Sequence, residues 1–185
     1  MKMSAGIVAA LLLASCASTR TVTVKQPMTG QFSSYTSLRL EYAPSDVDQA
    51  LLYYNQFAAT LKRQLTDGHY FKSVTTDKGG KAPLVATCQI TKVDRPSQAM
   101  TLLLGGAENS TVTLEVTFHE TQPADRTLAS VEVTGNSAER HRSSIGGISL
   151  TSSSDLTLAA LEAAAGAVTS YVQQNLTPAA QSVQK

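Results

Sequence analysis

Few side chains in this sequence can do covalent or metal chemistry, and their spacing decides how they read. There are two cysteines and three histidines. Cys16 directly follows Leu13-Ala14-Ser15, at the end of an apolar run, where a thiol can serve as a nucleophile for covalent modification. Cys88 lies in the alternating stretch Leu84–Thr91, on the side shared by Leu84, Ala86 and Ile90. A small thiol in that setting reads as core, because a catalytic cysteine needs a neighbouring base and an exposed, electropositive surrounding. His69, His119 and His141 are far apart and show no i, i+4 pairing, so no metal site is expected. No Gly-x-Ser-x-Gly nucleophile elbow is present, and Gly105-Gly106 and Gly146-Gly147 lack the spacing of a phosphate-cradling loop. No cofactor is expected, and the chain reads as non-enzymatic.

The elements around Cys16 give its chemistry a context. Lys2 supplies a positive leader, and Ile7 to Leu13 form an apolar core too short to span a bilayer as a helix. An ordinary secretory leader cut near Ser15-Cys16-Ala17 is one reading. The other is that Leu13-Ala14-Ser15-Cys16 resembles the bacterial lipobox. That resemblance implies cleavage before Cys16, diacylation of its thiol and acylation of the new amine. At roughly 0.8 kcal/mol per buried methylene, two or three acyl chains hold far better than one. Ala17 stands where an aspartate would resemble the inner-membrane retention signal. The implied address is the outer membrane, lipid-anchored and facing the periplasm.

Composition narrows the partners. The chain has fifteen basic and fourteen acidic residues, and removing Lys2 with the leader leaves fourteen of each. Such a balance gives no electrostatic drive toward nucleic acid. With one thiol left after lipidation, an intramolecular disulfide is excluded.

Four segments are expected: a signal peptide over 1–15, a lipidated cysteine with a flexible tether over 16–36, one domain over 37–176, and a tail over 177–185. The tether is rich in Ser, Thr and Gln. As a coil of ~20 residues it would reach about 25 Å and hold the domain clear of the headgroups. Its Thr21-Val22-Thr23-Val24 alternation also fits an edge strand, but the composition favours the tether.

Within the domain, Leu38, Leu40 and Tyr42 alternate as a half-buried strand does. Val47, Leu51, Tyr54, Ala58, Leu61 and Leu65 then trace one face of a helix, with Ser45 as its cap and Asp67-Gly68 as its stop. A short edge strand is expected over 69–74, and further strands over 84–91, 111–119 and 128–135. A last helix, from Ser154-Asp155 to about Asn175, carries Leu158, Leu161, Ala165, Val168 and Val172 on one stripe, thickened by alanines that permit close packing on a sheet. The fold expected is α+β, an antiparallel sheet of about four to five strands with two helices on one face, in the order β-α-β-β-β-β-α.

Three segments resemble a family of bacterial lipoproteins catalogued as a domain of unknown function. They are the helix ending at Gly68 with Tyr70-Phe71-Lys72-Ser73-Val74, the run Cys88–Val93 with Leu102–Ala107 and Val112–Phe118, and the glycine-bearing loop into the alanine-rich final helix. The resemblance covers residues 37–176 and implies a fold and an address without a chemistry. Such proteins tend to carry a glycine-rich, arginine-bearing turn where this chain has Gly105-Gly106-Ala107-Glu108-Asn109. The acidic Glu108 argues against a shared anion site there.

The expected function is therefore a membrane-anchored periplasmic lipoprotein that binds or scaffolds an envelope protein partner. Two connections supply candidate contact residues: Met100, Leu102 and Leu104 in one, and Arg140, His141, Arg142, Ile145 and Ile148 in the other. Long connections are commonly functional. The alternative is a binder or hydrolase of a cell-wall or lipid component, built on the 136–155 loop with Arg140, His141 and Asp155. A third reading is self-assembly through an exposed strand edge near Tyr70. Oligomeric state is not legible from the sequence.

Overall fold

Three long strands with strict alternation form the centre of the molecule. The computed structural model describes residues 20–76, 82–95, 109–121, 126–137 and 153–176, and for 153–155 the backbone alone. The central strands are β4 (Leu84–Asp94), β5 (Thr111–Glu120) and β6 (Arg126–Asn136). β5 pairs antiparallel with β4 on one side and with β6 on the other. Leu84, Ala86, Cys88 and Ile90 of β4 and Val112, Leu114, Val116 and Phe118 of β5 share one fully buried face. The other face of β5 carries Thr113, Glu115, Thr117 and His119, all partly exposed, with Thr113 bonded across to Thr134 at 3.1 Å. A sheet covered on one side gives this in/out alternation.

The remaining strands are β1 (Thr21–Gln26), β2 (Ser37–Tyr42) and β3 (Ser73–Thr75). The sheet has six strands in the order β1-β6-β5-β4-β2-β3. It is mixed rather than antiparallel, because β2 runs parallel to both β3 and β4. The reason is the helix α1 (Ala50–Asp67) between β2 and β3. A helix crossing over the sheet returns the chain in its original direction, which a hairpin cannot do.

The sixth strand also corrects the tether. β1 pairs antiparallel with β6, Thr21 opposite Thr134 and Val24 opposite Val131. Behind it, Phe32 opens a short 3-10 turn (Phe32–Ser34) and is fully buried. The Ser/Thr composition misled because β1 is an edge strand, exposed along nearly its whole length. Polar residues lose little there, and β-branched threonine and valine suit a pleated edge.

α1 is a core helix, with a corrected stripe and a corrected start, and it stops at Asp67-Gly68 as expected. Tyr53, Tyr54, Phe57, Ala58, Leu61 and Leu65 are buried, while Leu51 is 55% exposed. Ser45 lies too early to cap it: its hydroxyl accepts from the Val47 amide and donates to the Ile90 carbonyl. At the other end Gly68 has φ −76°, and His69 takes the left-handed conformation at φ 55°. Tyr70 and Phe71 then precede β3 rather than belonging to it.

α2 (Ser153–Gln174) packs on β6 and β5 and against α1. Its small residues bring backbone to backbone. A Cβ on Gly135 would lie 2.0 Å from the Ala160 carbonyl oxygen and 2.5 Å from the Ala164 nitrogen. Glycine is required there by the close approach.

Candidate functional site

Two ends of the sheet differ in how the chain is secured. At the upper end Asp94 of β4, Thr111 of β5 and Asn136 of β6 lie in register, and Thr21 of β1 joins two positions further down. The chain segments 96–108 and 138–152 both leave from this end. Their roots are joined by a buried set of hydroxyls. The Ser110 amide donates to the Ser137 hydroxyl at 2.9 Å, and the Ser137 amide donates back to the Ser110 carbonyl at 3.0 Å. The Ser110 hydroxyl donates to the Asp94 carbonyl at 3.0 Å and lies 3.2 Å from the Thr157 hydroxyl on α2. Ser110, Ser137 and Thr157 are almost completely buried, so their mutual bonding satisfies groups that would otherwise cost stability. Among the described residues Ser110 is joined to a carbonyl and two hydroxyls, contacts that hold three chain segments together.

Charged residues surround this knot. Lys92 lies 2.7 Å from the Asp94 carboxylate, and the Thr111 hydroxyl donates to it at 3.1 Å. The Lys92 contact holds the Asp94 carboxyl below its ordinary range, with the Thr111 bond helping and partial burial opposing. Arg95 donates to Gln49 at 3.3 Å and lies over the Tyr53 ring at 5.2 Å, tying the start of α1 to the end of β4. A cavity of about 240 Å³ opens beside Asn136 and Ser137, lined also by Arg20, Gln64, Glu162 and Gly166. The Arg20 guanidinium lies against Gly166, where a Cβ would approach it to 2.4 Å.

At the lower end the chain is clasped by aromatic and ionic contacts. Phe32 meets Phe118 edge-on at 4.8 Å between centroids, and Tyr171 of α2 lies 6.2 Å from each. Arg126 donates to the Glu120 carboxylate at 2.9 Å, and the Tyr35 hydroxyl donates to the same carboxylate. Those two contacts, the Tyr35 bond first, hold the Glu120 carboxyl below its ordinary value. Burial, and then the Glu120 bond, push Tyr35 up to about 12. This cluster secures the segment before β2.

The residues nominated from sequence fall largely elsewhere. Cys16, Met100, Leu102, Leu104, Arg140, His141, Arg142, Ile145 and Ile148 lie outside the described residues, as does the Asp155 side chain. What the fold adds is that both nominated connections are rooted at one end. Sequence reasoning missed Ser110, Ser137 and Thr157, whose only signal was position beside strand ends and a helix start. Cys88 is fully buried, and burial pushes its thiol up to about 12, as a core cysteine requires. Among the described residues no group of three His, Cys, Asp or Glu side chains could hold a metal, and no helix is long and apolar enough to cross a membrane.

No protein-family model matches the chain, and no curated protein matches its sequence. Solved structures of similar shape include the PelC dodecamer from Paraburkholderia phytofirmans, at 10% identity and a TM-score of 0.49 over 78% of this chain and 94% of that one. A DUF330 protein from Xanthomonas campestris matches at 12% identity and a TM-score of 0.41, over 82% of this chain and 87% of that one. A candidate lipoprotein from Caulobacter crescentus matches at 13% identity and a TM-score of 0.38, over 77% and 90%. Each TM-score is below 0.5, so nothing about binding or assembly passes from these proteins to this chain.

Proposed function

We propose that this is a non-enzymatic lipoprotein of the bacterial envelope, anchored in the outer membrane through Cys16 and holding a protein partner at the upper end of its sheet. The observation that carries the partner reading is the Ser110–Ser137–Thr157 knot, which joins the roots of the segments 96–108 and 138–152. With Ser110 and Ser137 bonded to each other, we assign Met100, Leu102 and Leu104 a shared partner with Ile145 and Ile148. The anchor rests on the lipobox resemblance of Leu13–Cys16. Replacing Cys16 with Ala should abolish acyl labelling and membrane fractionation; persistent membrane association would refute it. For the partner, photo-crosslinkers at Leu102 and Ile148 should trap the same envelope protein. Shortening either connection should remove that product while leaving the melting temperature unchanged. Crosslinking that survives both deletions overturns the reading.

The 240 Å³ cavity beside Asn136 and Ser137 favours one second reading, a small cell-wall or lipid headgroup fragment bound there against Arg20. Titration of the protein with muropeptides and with short-chain phospholipids should then give saturable heats that Arg20→Ala removes. An absence of heat with both ligands would discard it.

A further inference from the structure

The position of β1 bears on how the domain faces the membrane, given the lipid anchor proposed above. Between Cys16 and Thr21 there are four residues. Even fully extended, those five residue steps span at most about 18 Å. A coil through residue 36 would leave orientation free, but Thr21 is already paired with Thr134 and Val24 with Val131. The pairing is reinforced from the side chains by Lys25 and Glu132 at 3.1 Å, and beyond the strand by the Thr29 amide on the Leu128 carbonyl at 2.8 Å. β1 runs from the upper end downward, so its first residue sits near the level of Asp94, Thr111 and Asn136. Thr21 is level with Thr113 through Thr134, so the lower end, at His119 and Thr127, is six residues further along β5, about 20 Å away at the usual strand rise.

From these lengths we infer that the upper end of the sheet is the bilayer-facing surface, with phospholipid headgroups as its partner. Arg20, the described residue nearest the anchor, is an exposed cation at this end, and exposed Asp46 and Asp48 lie beside the Gln49 that Arg95 bonds, so the orientation rests on chain length rather than on net charge. An envelope protein met at this end is consequently met at the membrane surface.

The test uses the full-length, lipidated protein reconstituted into phosphatidylethanolamine–phosphatidylglycerol vesicles containing a headgroup-labelled energy acceptor. A donor dye is placed on Asn109→Cys at the upper end or on Thr127→Cys at the lower end, both exposed positions. Native Cys88 is buried and stays unlabelled. Transfer should be several-fold stronger from position 109 than from 127, and a flexible Gly-Ser spacer inserted after Ala17 should erase most of that difference. Equal transfer from both positions, or stronger transfer from 127, overturns the orientation. Flotation with the vesicles is scored separately. Wild-type protein that does not float sinks the anchor reading and this inference with it, whereas flotation with equal transfer sinks the orientation alone.

Discussion

The two ends of the sheet are closed by different kinds of interaction. The lower end uses large rings, Phe32, Phe118 and Tyr171, with Glu120 between Tyr35 and Arg126 at the rim. The upper end uses three small hydroxyl side chains and a glycine that admits α2. Aromatic burial is large and non-directional, so it stabilises whatever packs against it. A hydroxyl knot contributes less net energy but fixes where chain leaves and returns, because a broken bond strands a buried partner. One end packs large rings together, and the other bonds the roots of two long connections to each other.

This contrast orders the expected effects of substitution. Phe118→Ala should be most damaging, at about 3–5 kcal/mol by denaturant unfolding, because it empties the centre of the aromatic cluster. Gly135→Ala should follow, at about 2–3 kcal/mol, since its Cβ meets helix backbone rather than a yielding side chain. A Gly135→Ala loss larger than that of Phe118→Ala would reverse the proposed division between the ends. Ser137→Ala should cost about 1–2 kcal/mol by leaving the buried Ser110 amide without its acceptor. In that variant hydrogen exchange should accelerate at Ser110 and Thr111, with Phe118 and Ala129 unchanged; uniform acceleration would mean the knot is not local.

Titration sharpens the comparison further. Glu120 at the lower end and Asp94 at the upper end both have depressed values when folded, the first through Tyr35 and Arg126, the second chiefly through Lys92. Their contribution is present above the unfolded carboxylate range and is lost as pH falls through the folded value. Glu120→Gln and Asp94→Asn should therefore each flatten the acid limb of the stability curve; a limb unchanged in both would refute the assignment. The alkaline effect is smaller. Tyr35 rises from 10.0 to about 12, so its contribution is complete below pH 10 and fades as pH climbs toward 12. Tyr35→Phe should remove that decline. Cys88, raised from 9.0 to about 12, begins to contribute a similar decline nearer pH 9, and Cys88→Ala separates the two.

Much of the fold was legible because burial imposes periodicity. The β4 and β5 alternations, the place of Cys88 in the core and the alanine-rich face of α2 follow from residue type at fixed spacing. Leu51 failed because α1 turns its Tyr53–Phe57 side to the core, and a stripe drawn through two residues in seven can be rotated without losing its rhythm. The left-handed turn after α1 falls on His69 rather than on Gly68, because glycine permits that conformation without demanding it. The upper-end site was half legible. Two connections stood out by length and composition, but Ser110 and Ser137 are neighbours only through the pairing of β5 with β6.

By itself the sequence determined most of the elements, since each depends on residues near one another along the chain, and it supplied the lipobox resemblance on which the proposal for Cys16 rests. Only the tertiary structure decided that β2 lies parallel to β3 and β4, that Thr21–Gln26 is a strand rather than tether, and that both long connections spring from one end. Those facts depend on which strands become neighbours, and pairing between segments a hundred residues apart leaves no local trace. An edge strand rich in threonine looks like linker until the strand beside it is known.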